Sequence, residues 1–494
     1  MSEIQYDLAI IGAGPGGYHA AIRAAQYGAK IALIEKEKLG GTCLNWGCIP
    51  TKALYASAHL IEKLKEAAKF GIEISDFKLN FAKAVERKNS IVQELISGIE
   101  QLESAWKNDI FKGFGKVIGG DVNNGFEISI EGKETKKIKA KRVIVATGST
   151  PAIIPAFNID HKRILTSDDI LHPNFNTVPN KLLIIGAGVI GCEFANIFAM
   201  FGSKVTMLEY LPSAIATEEP MIVKVLLKKF EDIGIELFTS QNVLSVENTG
   251  SGVKAITCDS SIPRDQLDSA EKHTFEADIC LVSIGRAKVS NNLGFEEIGI
   301  KMERGAIKVN TNTLETDVKG IYAIGDVTGG IMLAHVASYE GDIAVANALA
   351  SIGGFPVQEM KTNYTVVPAT IFTSPNIGSV GYRRKVAKDM GMDVLMGQFP
   401  YQSLGKAKCM GEDNQAFLMV LADKNSHKIV GASCIGVEAP ELIAEISLAM
   451  QHGLTVHDVA ETIHSHPTIS EMVLEGCESV VGKAIHKKGR PIHH

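Results

Sequence analysis

Two short apolar runs, residues 8–11 and 182–185, each lead into a turn with the spacing G-x-G-x-x-G and then into a helical stretch. Continuous apolar runs of this length are typical of buried strands. A second apolar run follows each helical stretch and ends in an acid 23 residues beyond the first glycine. The pattern predicts two strand–turn–helix–strand units, defined by Gly12, Gly14, Gly17 and Glu35 in the first and by Gly186, Gly188, Gly191 and Glu209 in the second.

Each glycine of such a turn has its own physical role. The first allows the tight turn, the second lets the backbone approach a pyrophosphate, and the third lets the helix pack against the strand. The N-terminus of the helix then binds the phosphates. A single copy could be an ordinary glycine-rich turn, but two copies in the same context favour two dinucleotide-binding sites.

Further apolar runs end at glycine or acidic positions. Residues 143–146 precede Thr147 and Gly148, residues 280–284 precede Gly285, and residues 321–324 precede Asp326. Ligands bind at the carboxyl ends of strands in open α/β sheets, so Asp326 is placed to accept a hydrogen bond from a cofactor hydroxyl. An acid that only forms a turn would give the same sequence.

These patterns also indicate how the 494 residues divide, because one core stops growing at roughly 250–300 residues. The second unit interrupts the first, which resumes near Gly285. From Thr365 to Gly431 short β-rich segments predominate, and residues 441–451 have the pattern of an amphipathic helix. We expect an α/β fold with two Rossmann-like dinucleotide-binding domains, the second inserted in the first, and a C-terminal α+β domain, divided as residues 1–151, 152–283, 284–352 and 353–494.

Composition narrows the class of protein. The net charge of −6 gives no basic surface for nucleic acid. Eight cysteines in so long a chain favour a reducing compartment over a secreted disulfide scaffold. The first strand-like run begins almost at Met1 and leaves no room for a signal peptide, so we expect a cytoplasmic location. We expect no membrane span, because the segment most like one, residues 182–202, contains Glu193 and Asn196.

Cys43 and Cys48 are separated by four residues and stand beside the first nucleotide unit. Pro50 suits the first turn of a helix, which we expect to run on through Lys69 and to place Cys48 near its positive end. A thiolate there has a lowered pKa and is a better redox group. Half of a zinc site, or two ordinary buried thiols, are the alternatives; no second Cys or His pair lies nearby, so we expect no metal. The scattered cysteines are expected to be core thiols: Cys192, Cys258, Cys280, Cys409, Cys434 and Cys477.

With these motifs in this order, the chain resembles the flavoprotein disulfide reductases over nearly its whole length. The stretch from Gly41 to Lys52 is most similar to that of the dihydrolipoyl dehydrogenases. The resemblance implies that FAD is held by the first unit together with Lys52, Thr147, Gly148, Asp326, Met332, Leu333, Ala334 and His335. It implies that NAD is held by the second unit together with Gly285.

The resemblance also implies catalytic partners. His466, in a His-Pro-Thr motif, would act as the base with Glu471 beside it, since a carboxylate fixes the tautomer of an imidazole and stabilises its charged form. The residues alone favour a surface histidine in a loop. The family pattern pairs Lys52, one helical turn after Cys48, with Glu193 near the flavin. A solvated lysine and an exposed glutamate are the alternatives.

The implied activity is oxidation of dihydrolipoamide, carried on lipoyl domains or a carrier protein, through a Cys43–Cys48 disulfide and FAD, with reduction of NAD. The C-terminal domain would form a homodimer whose two-fold interface presents His466 to the partner's disulfide. The enzyme would serve 2-oxoacid dehydrogenase or glycine cleavage complexes.

Two other functions remain open from the sequence. One is another reductase of the family that uses NADPH and acts on glutathione disulfide or mercuric ion. Glu209 would repel a 2′-phosphate, and the C-terminus lacks the cysteine pair of mercuric enzymes. The other is a flavin-carrying sensor or structural subunit without turnover, which the intact set of Cys43, Cys48, His466 and Glu471 opposes.

Three local features depart from the family pattern or fall outside it. Ala287 and Lys288 follow the motif that ends at Arg286, where the family often has a proline two residues on. Residues 258–273 are polar and charged, and we expect a surface insertion there. The basic residues 487–494 are expected to form a solvated tail.

Overall fold

The computed structural model describes residues 4–412 and 415–488. Its first part, up to residue 151, has parallel strands in the order β3-β2-β1-β6 with the antiparallel pair β5-β4 beyond β6. The strands are β1 Tyr6–Ile11, β2 Ile31–Glu35, β3 Asp109–Lys112, β4 Phe114–Asp121, β5 Gly125–Glu131, β6 Lys136–Val145 and β7 Ser149–Pro151, and the helices are α1 Pro15–Gln26, α2 Gly41–Asn45, α3 Cys48–Lys65 and α4 Phe81–Ala105.

The central strands of this sheet are apolar on both faces because both faces are covered. Leu8, Ala9 and Ile10 of β1 are all fully buried, as expected for a parallel strand between two layers. Helix α1 begins at Pro15, whose fixed φ suits the first turn. It is buried along Ala20, Ala21 and Ala24, small residues that allow close packing. This core fixes the position of the turn between β1 and α1.

The next part, residues 164–282, builds a second parallel sheet in the order β11-β10-β9-β15-β8 and a separate antiparallel sheet, β12-β13-β14. Its strands are β8 Ile164–Leu165, β9 Lys181–Ile185, β10 Lys204–Leu208, β11 Glu236–Phe238, β12 Gln241–Asn248, β13 Val253–Asp259, β14 His273–Ala277 and β15 Ile279–Val282, and its helices are α5 Ser167–Leu171, α6 Val189–Met200 and α7 Pro220–Asp232.

The chain then returns to the first sheet. It forms β16 Arg286–Lys288, β17 Met302–Glu303, β18 Ala306–Ile307, β19 Ile321–Ala323 and helix α8 Ala334–Ile352. Strand β19 pairs in parallel with the end of β6, with Ile321 opposite Val143, and β6 pairs on its other side with β1. The second dinucleotide-binding unit is therefore inserted into the first, as the sequence predicts.

The C-terminal part is an antiparallel sheet, ordered β20-β21-β24-β23-β22 and covered by helices. The mixed fold class, with two Rossmann-like units and this α+β part, is confirmed. The elements are β20 Ala369–Ile371, β21 Ile377–Gly381, α9 Arg384–Asp389, β22 Val394–Pro400, α10 Gly405–Cys409, β23 Phe417–Asp423, β24 Ile429–Ile435, α11 Ala439–Gln451, α12 Val456–Ala460 and α13 Glu471–Val480.

Two expected boundaries were wrong. Helix α3 ends at Lys65 rather than Lys69, because the chain tightens into a 3₁₀ turn at Ala67–Phe70 that Gly71 ends with φ +75°. The expected insertion at 258–273 begins too early, since Cys258 lies buried in β13. Between β13 and β14 an exposed connection does follow.

Two expectations concern the ends and the membrane. The expected basic tail falls mostly on residues 489–494, which lie outside the described residues. None of the helices within the described ranges combines the length and the apolar character needed to span a bilayer.

Candidate active site

A cavity of about 790 Å³ opens where β1, β2, β6 and β19 end. The sequence-predicted residues that line it are Gly12, Gly14, Glu35, Cys43, Cys48, Lys52, Thr147, Gly148, Glu193, Asp326, Met332, Leu333, Ala334 and His335. The carboxyl ends of parallel strands meet at one edge of a sheet, which explains why residues so distant in sequence converge here. The sequence-predicted residues that do not line it are Gly17, Gly186, Gly188, Gly191, Glu209, Gly285, His466 and Glu471.

The first glycine turn has the shape of a phosphate cradle. A Cβ on Gly17 would lie 1.8 Å from the carbonyl oxygen of Gly12, so only glycine lets α1 approach the turn this closely. A Cβ on Gly14 would meet only Gly41, at 3.9 Å, so the protein's own packing does not demand glycine there. A phosphate approaching the backbone does demand it, and the residues therefore fit a dinucleotide.

Acceptors for the remaining parts of such a ligand surround the cradle. Glu35 accepts hydrogen bonds at 2.8 Å from the backbone N–H groups of Ala13 and Glu37, which fix its carboxylate at the end of β2. Asp326 is the second residue of a short 3₁₀ turn, Gly325–Thr328, after β19, and it accepts a hydrogen bond from Ser149. Helix α8 begins at Ala334 with its N-terminus on the cavity, as predicted.

The second glycine turn repeats this geometry outside the cavity. A Cβ on Gly191 would lie 2.0 Å from the carbonyl oxygen of Gly186, whereas one on Gly188 would meet nothing within 4 Å. Glu209, one residue beyond β10, accepts hydrogen bonds from Ala187 N–H at 2.6 Å and Leu211 N–H at 2.8 Å. The residues fit a second dinucleotide, and α6 carries Glu193 from this turn to the cavity.

Cys43 and Cys48 face each other across the start of α3, and both are free thiols. Cys48 is the first residue of the helix, and Pro50 lies in its first turn, as predicted. Cys43 lies in the short helix α2, and its side chain donates a hydrogen bond to Cys48. The pair lines the same cavity as the first phosphate cradle.

The two thiols differ in acidity. The hydrogen bond from Cys43 is the strongest influence on Cys48, and with the charge of Lys52 it lowers the pKa of Cys48 to about 7 although burial opposes it. The same hydrogen bond, together with burial, raises the pKa of Cys43 well above its ordinary value. Cys48 is therefore the thiolate of the pair near neutral pH, and Cys43 is the protonated partner.

Lys52 reaches across the cavity to the second dinucleotide unit. Its Nζ lies 2.9 Å from both carboxylate oxygens of Glu193, and Glu193 is only 4% exposed. The backbone N–H of Phe372 donates to the same carboxylate at 2.9 Å, and the Phe372 ring lies 4.6 Å from Lys52 Nζ. Three parts of the chain thus meet beside Cys48. Neither the solvated lysine nor the exposed glutamate describes this arrangement.

His466 lies on the surface of the C-terminal part, and its side chain is 77% exposed. Its Nδ1 is 2.8 Å from Glu471, the first residue of α13, which also accepts a hydrogen bond from Thr468 N–H. Burial raises the pKa of Glu471, but these hydrogen bonds outweigh it and the net pKa is lowered. The imidazole is thus oriented by a carboxylate, but within one chain it does not line the thiol cavity.

Residues 6–341 match the model of the pyridine nucleotide-disulphide oxidoreductase family, and residues 367–476 match the dimerisation domain of that family. The chain is 40% identical to the dihydrolipoyl dehydrogenase of Bacillus subtilis, with 98% of this chain and 99% of that protein covered. It is 39% identical to the dihydrolipoyl dehydrogenase of Chlamydia muridarum, with 97% and 98% covered.

The chain belongs to the pyridine nucleotide-disulphide oxidoreductase family. Solved structures of LpdA from Mycobacterium tuberculosis and of the HOCl-induced flavoprotein disulfide reductase RclA from Escherichia coli are also similar. LpdA has a TM-score of 0.86 at 28% identity, with 95% of this chain and 98% of that chain covered. RclA has a TM-score of 0.82 at 26% identity, with 96% and 99% covered. The resemblance predicted from the sequence is confirmed.

As a pyridine nucleotide-disulphide oxidoreductase, the protein is an enzyme with FAD and NAD as its cofactors. The match to the dimerisation domain supports a homodimer. Both assignments agree with the two phosphate cradles described above, of which the first opens onto the thiol pair and the second onto Glu209.

Some residues at the cavity were not singled out from the sequence. Arg286 donates to Ser149 Oγ at 2.7 Å and to the Ser149 carbonyl at 2.8 Å, and its Nη2 lies 3.4 Å from Thr42 Oγ1. This links the segment carrying Cys43 to Ser149, the partner of Asp326. Arg286 was read only as the end of a motif. The segment that lacks the family's proline, Arg286–Lys288, forms β16 and pairs with β7.

Proposed function

We propose that the protein oxidises dihydrolipoamide to lipoamide and reduces NAD to NADH, using Cys43 and Cys48 as a redox pair. The observation that carries this proposal is the placement of an acidified Cys48 thiol, with pKa about 7, between Lys52 and the first phosphate cradle. The residues of that cradle would hold FAD, which would supply two-electron transfer between the dithiol and NAD. Cys43 and Cys48 of the chain itself carry out the sulfur chemistry.

Cys43 is the exchange thiol in this proposal. A substrate thiolate attacks the sulfur of Cys43 in the Cys43–Cys48 disulfide, which forms a mixed disulfide and releases Cys48 as a thiolate. The second substrate thiol attacks the substrate sulfur of the mixed disulfide and its proton passes to the departing sulfur of Cys43, so that lipoamide leaves as a disulfide and Cys43 is released as a thiol. The hydrogen bond between Cys43 and Cys48 then stabilises the thiolate on Cys48.

His466 takes the proton of the substrate thiol, since an imidazole titrates near neutral pH and Glu471 holds its far nitrogen. Within one chain His466 does not line the cavity that Cys43 lines, so the proposed site combines His466 from one subunit with Cys43 from its partner. Lys52 and Glu193 set the charge beside Cys48. Glu209 selects NAD over NADP by hydrogen bonding a ribose hydroxyl where a 2′-phosphate would be repelled.

We further propose the partners and the location. The substrate is dihydrolipoamide carried on lipoyl domains or a carrier protein, in 2-oxoacid dehydrogenase or glycine cleavage complexes, and the enzyme acts in the cytoplasm. The names of the relatives support the substrate. The surface that receives the carrier lies where His466 meets the partner's cavity.

A substrate panel tests the proposal. Purified protein is assayed with dihydrolipoamide, glutathione disulfide and mercuric ion, each with NAD or NADP in the oxidation state that the reaction requires. Rapid dihydrolipoamide oxidation with NAD is expected. Faster NADPH-dependent reduction of glutathione disulfide or mercuric ion would replace the proposal with the corresponding reductase, and no turnover with any substrate would indicate a non-catalytic flavoprotein.

A further inference from the structure

Helix α13, which begins at Glu471, carries a row of acids. Glu471, Glu475 and Glu478 are spaced i, i+4 and i+7, so they lie along one face of the helix. Like charges four residues apart repel each other and destabilise a helix. The first of these acids holds His466, so the charge along this face also bears on the proposed catalytic base.

The end of the described chain turns back over this acid face. Residues 483–488, here called the C-terminal strap, are held by Glu475, which is only 4% exposed. Glu475 accepts hydrogen bonds from the N–H groups of Ile485 at 3.0 Å and His486 at 3.4 Å, and its Oε1 lies 2.5 Å from His486 Nδ1. Lys487 Nζ donates to the carbonyl of Gln398 on β22 at 2.5 Å, which fixes the far end of the strap.

The strap therefore builds a second carboxylate–imidazole pair one helical turn below the first. His486 with Glu475 repeats the arrangement of His466 with Glu471. The charge of His486 reaches the acids on either side of its partner. Burial raises the pKa of Glu471, its hydrogen bonds lower it, and the charge of His486 lowers it further by a smaller amount. At Glu478, burial and Glu475 raise the pKa, and the charge of His486 opposes that rise.

Other polar and charged groups face this region from the strap, α11 and β22. Lys483 and Lys487 lie on the strap itself, and Lys483 opposes the rise at Glu478. On α11, Glu445 is 2.9 Å from Nε2 of His464, a side chain that is almost fully buried. Gln398 of β22 contributes an uncharged carbonyl. Among the described residues, His486 is the imidazole that contacts the middle acid of the row.

We propose that His486 is a positioning residue for the reaction: docked on Glu475 by the C-terminal strap, it neutralises the acid face of α13 and thereby sets the proton affinity of His466. The inference rests on the proposed role of His466 as the base. A positive charge beside the acid row opposes protonation of His466, so removing that charge makes His466 a stronger base.

The test compares the pH dependence of kcat/KM for dihydrolipoamide oxidation in the full-length holoenzyme. The acid limb of this profile reports the protonation of the base in the free enzyme. His486→Gln is expected to move that limb to higher pH by roughly half a unit, as for two partly solvated charges about a helical turn apart. His486→Lys keeps the charge and is expected to keep the wild-type limb. His452→Gln, an exposed histidine after α11, is the matched control and should change nothing.

If the acid limb of His486→Gln stays at its wild-type pH, the inference is overturned. It is also overturned if His486→Lys shifts the limb as far as His486→Gln does, because packing rather than charge would then explain the shift.

Docking of the strap is tested separately, without turnover, by the rate at which trypsin removes the peptide after Lys483. Glu475→Gln is expected to speed this cleavage severalfold, and an unchanged rate contradicts docking. If wild type does not oxidise dihydrolipoamide, the proposed function fails instead, and the limb is read with the substrate that the panel identifies.

Discussion

Lys52 Nζ lies 2.9 Å from both carboxylate oxygens of Glu193, which joins the first turns of α3 to a helix of the second dinucleotide unit. Cys48 begins the helix that carries Lys52, so both members of this ion pair act on the Cys48 thiol. The ammonium lowers the pKa of Cys48 and the carboxylate raises it. The two charges of the pair therefore have opposing effects on the pKa of Cys48.

The first prediction separates these two charges. Lys52→Met should raise the pKa of Cys48 and Glu193→Gln should lower it, each by roughly one unit, because each removes one of two opposing charges. The measurement is the pH midpoint of the long-wavelength absorption band that a thiolate beside flavin gives in the reduced holoenzyme. Lys63→Gln is the control, since Lys63 lies on the same helix but pairs with Glu412. Movement of both midpoints in one direction contradicts the electrostatic account.

The second prediction assigns the two thiols. Cys48 has the lowered pKa, so Cys43→Ser should show the long-wavelength band without prior reduction, and the band should fade at low pH as the Cys48 thiolate is protonated. Cys48→Ser should lack it at every pH. Both variants should lose nearly all dihydrolipoamide oxidation. The opposite pattern of bands would show that the roles are exchanged.

The third prediction compares Glu209 with Glu35, which occupy equivalent positions in the two units, so that each variant is the control for the other. Glu209 and Glu35 each accept a backbone N–H from the glycine turn of their own unit. Glu209→Gln should narrow the preference for NAD over NADP roughly tenfold or more while flavin content is kept, because 2′-phosphate repulsion is lost. Glu35→Gln should weaken FAD retention without changing the NAD preference. Steady-state kinetics and flavin absorbance measure the two effects, and a wild-type preference for NADP would refute the assignment.

The fourth prediction concerns the shared site. Cys43→Ser and His466→Ala homodimers should both be nearly inactive. Random reassortment of the two makes about half the dimers mixed, and each mixed dimer has one intact site of two, so activity should recover to roughly a quarter of wild type. Mixing under conditions shown to exchange subunits, with no recovery, would mean that His466 serves its own chain.

The fifth prediction concerns acid stability at the junction of α3, α7 and the C-terminal part. Glu62 lies 3.5 Å from His59 Nδ1 and 2.6 Å from Lys229 Nζ, and it accepts a hydrogen bond from Ser374. Burial raises its pKa, but these partners outweigh burial and lower the pKa to about 2, against 4.5 unperturbed. The stabilisation, up to about 3 kcal/mol, is present above pH 4.5 and is lost as the pH falls towards 2.

Glu62→Gln should accordingly lower the melting temperature at pH 7 by a few degrees, and the gap to wild type should shrink at pH 3. Differential scanning calorimetry of the holoenzyme at both pH values measures this gap. Glu66→Gln, one turn further along the chain, is the matched control, because the Glu66 side chain is 32% exposed and pairs with Lys69 on the surface. A gap that is equal at both pH values would mean that the ion pair contributes nothing to the effect.

Local pattern was sufficient for much of the fold. The sequence was enough to locate the turns at Gly12 and Gly186 and the acids Glu35 and Glu209, because each unit lies within about 25 adjacent residues. The start of α8 at Ala334 and the first turn of α3 were found for the same reason. The end of α3 was missed, since Ala67–Phe70 retains helical hydrogen bonding in a tighter form.

Contacts between distant segments were beyond local pattern. Lys52 and Glu193 are 141 positions apart, and their pairing was available only through the family resemblance. Arg286 and Ser149 gave no signal at all, because nothing in either neighbourhood shows that β16 pairs with β7. The proposed relation of His466 to the thiols involves a second subunit, which no local pattern within one chain describes.

The pairing of β19 with β6 also orders events on the ribosome. Strands β8 to β15 of the second unit lie between residues 164 and 282, so all of them are synthesised before Ile321. In the first sheet, the edge of β6 that pairs with β19 stays without its partner until β19 has been synthesised. The first phosphate cradle, whose Asp326 follows β19, can therefore be completed only after every strand of the second unit has been synthesised, although its first glycine is the twelfth residue of the chain.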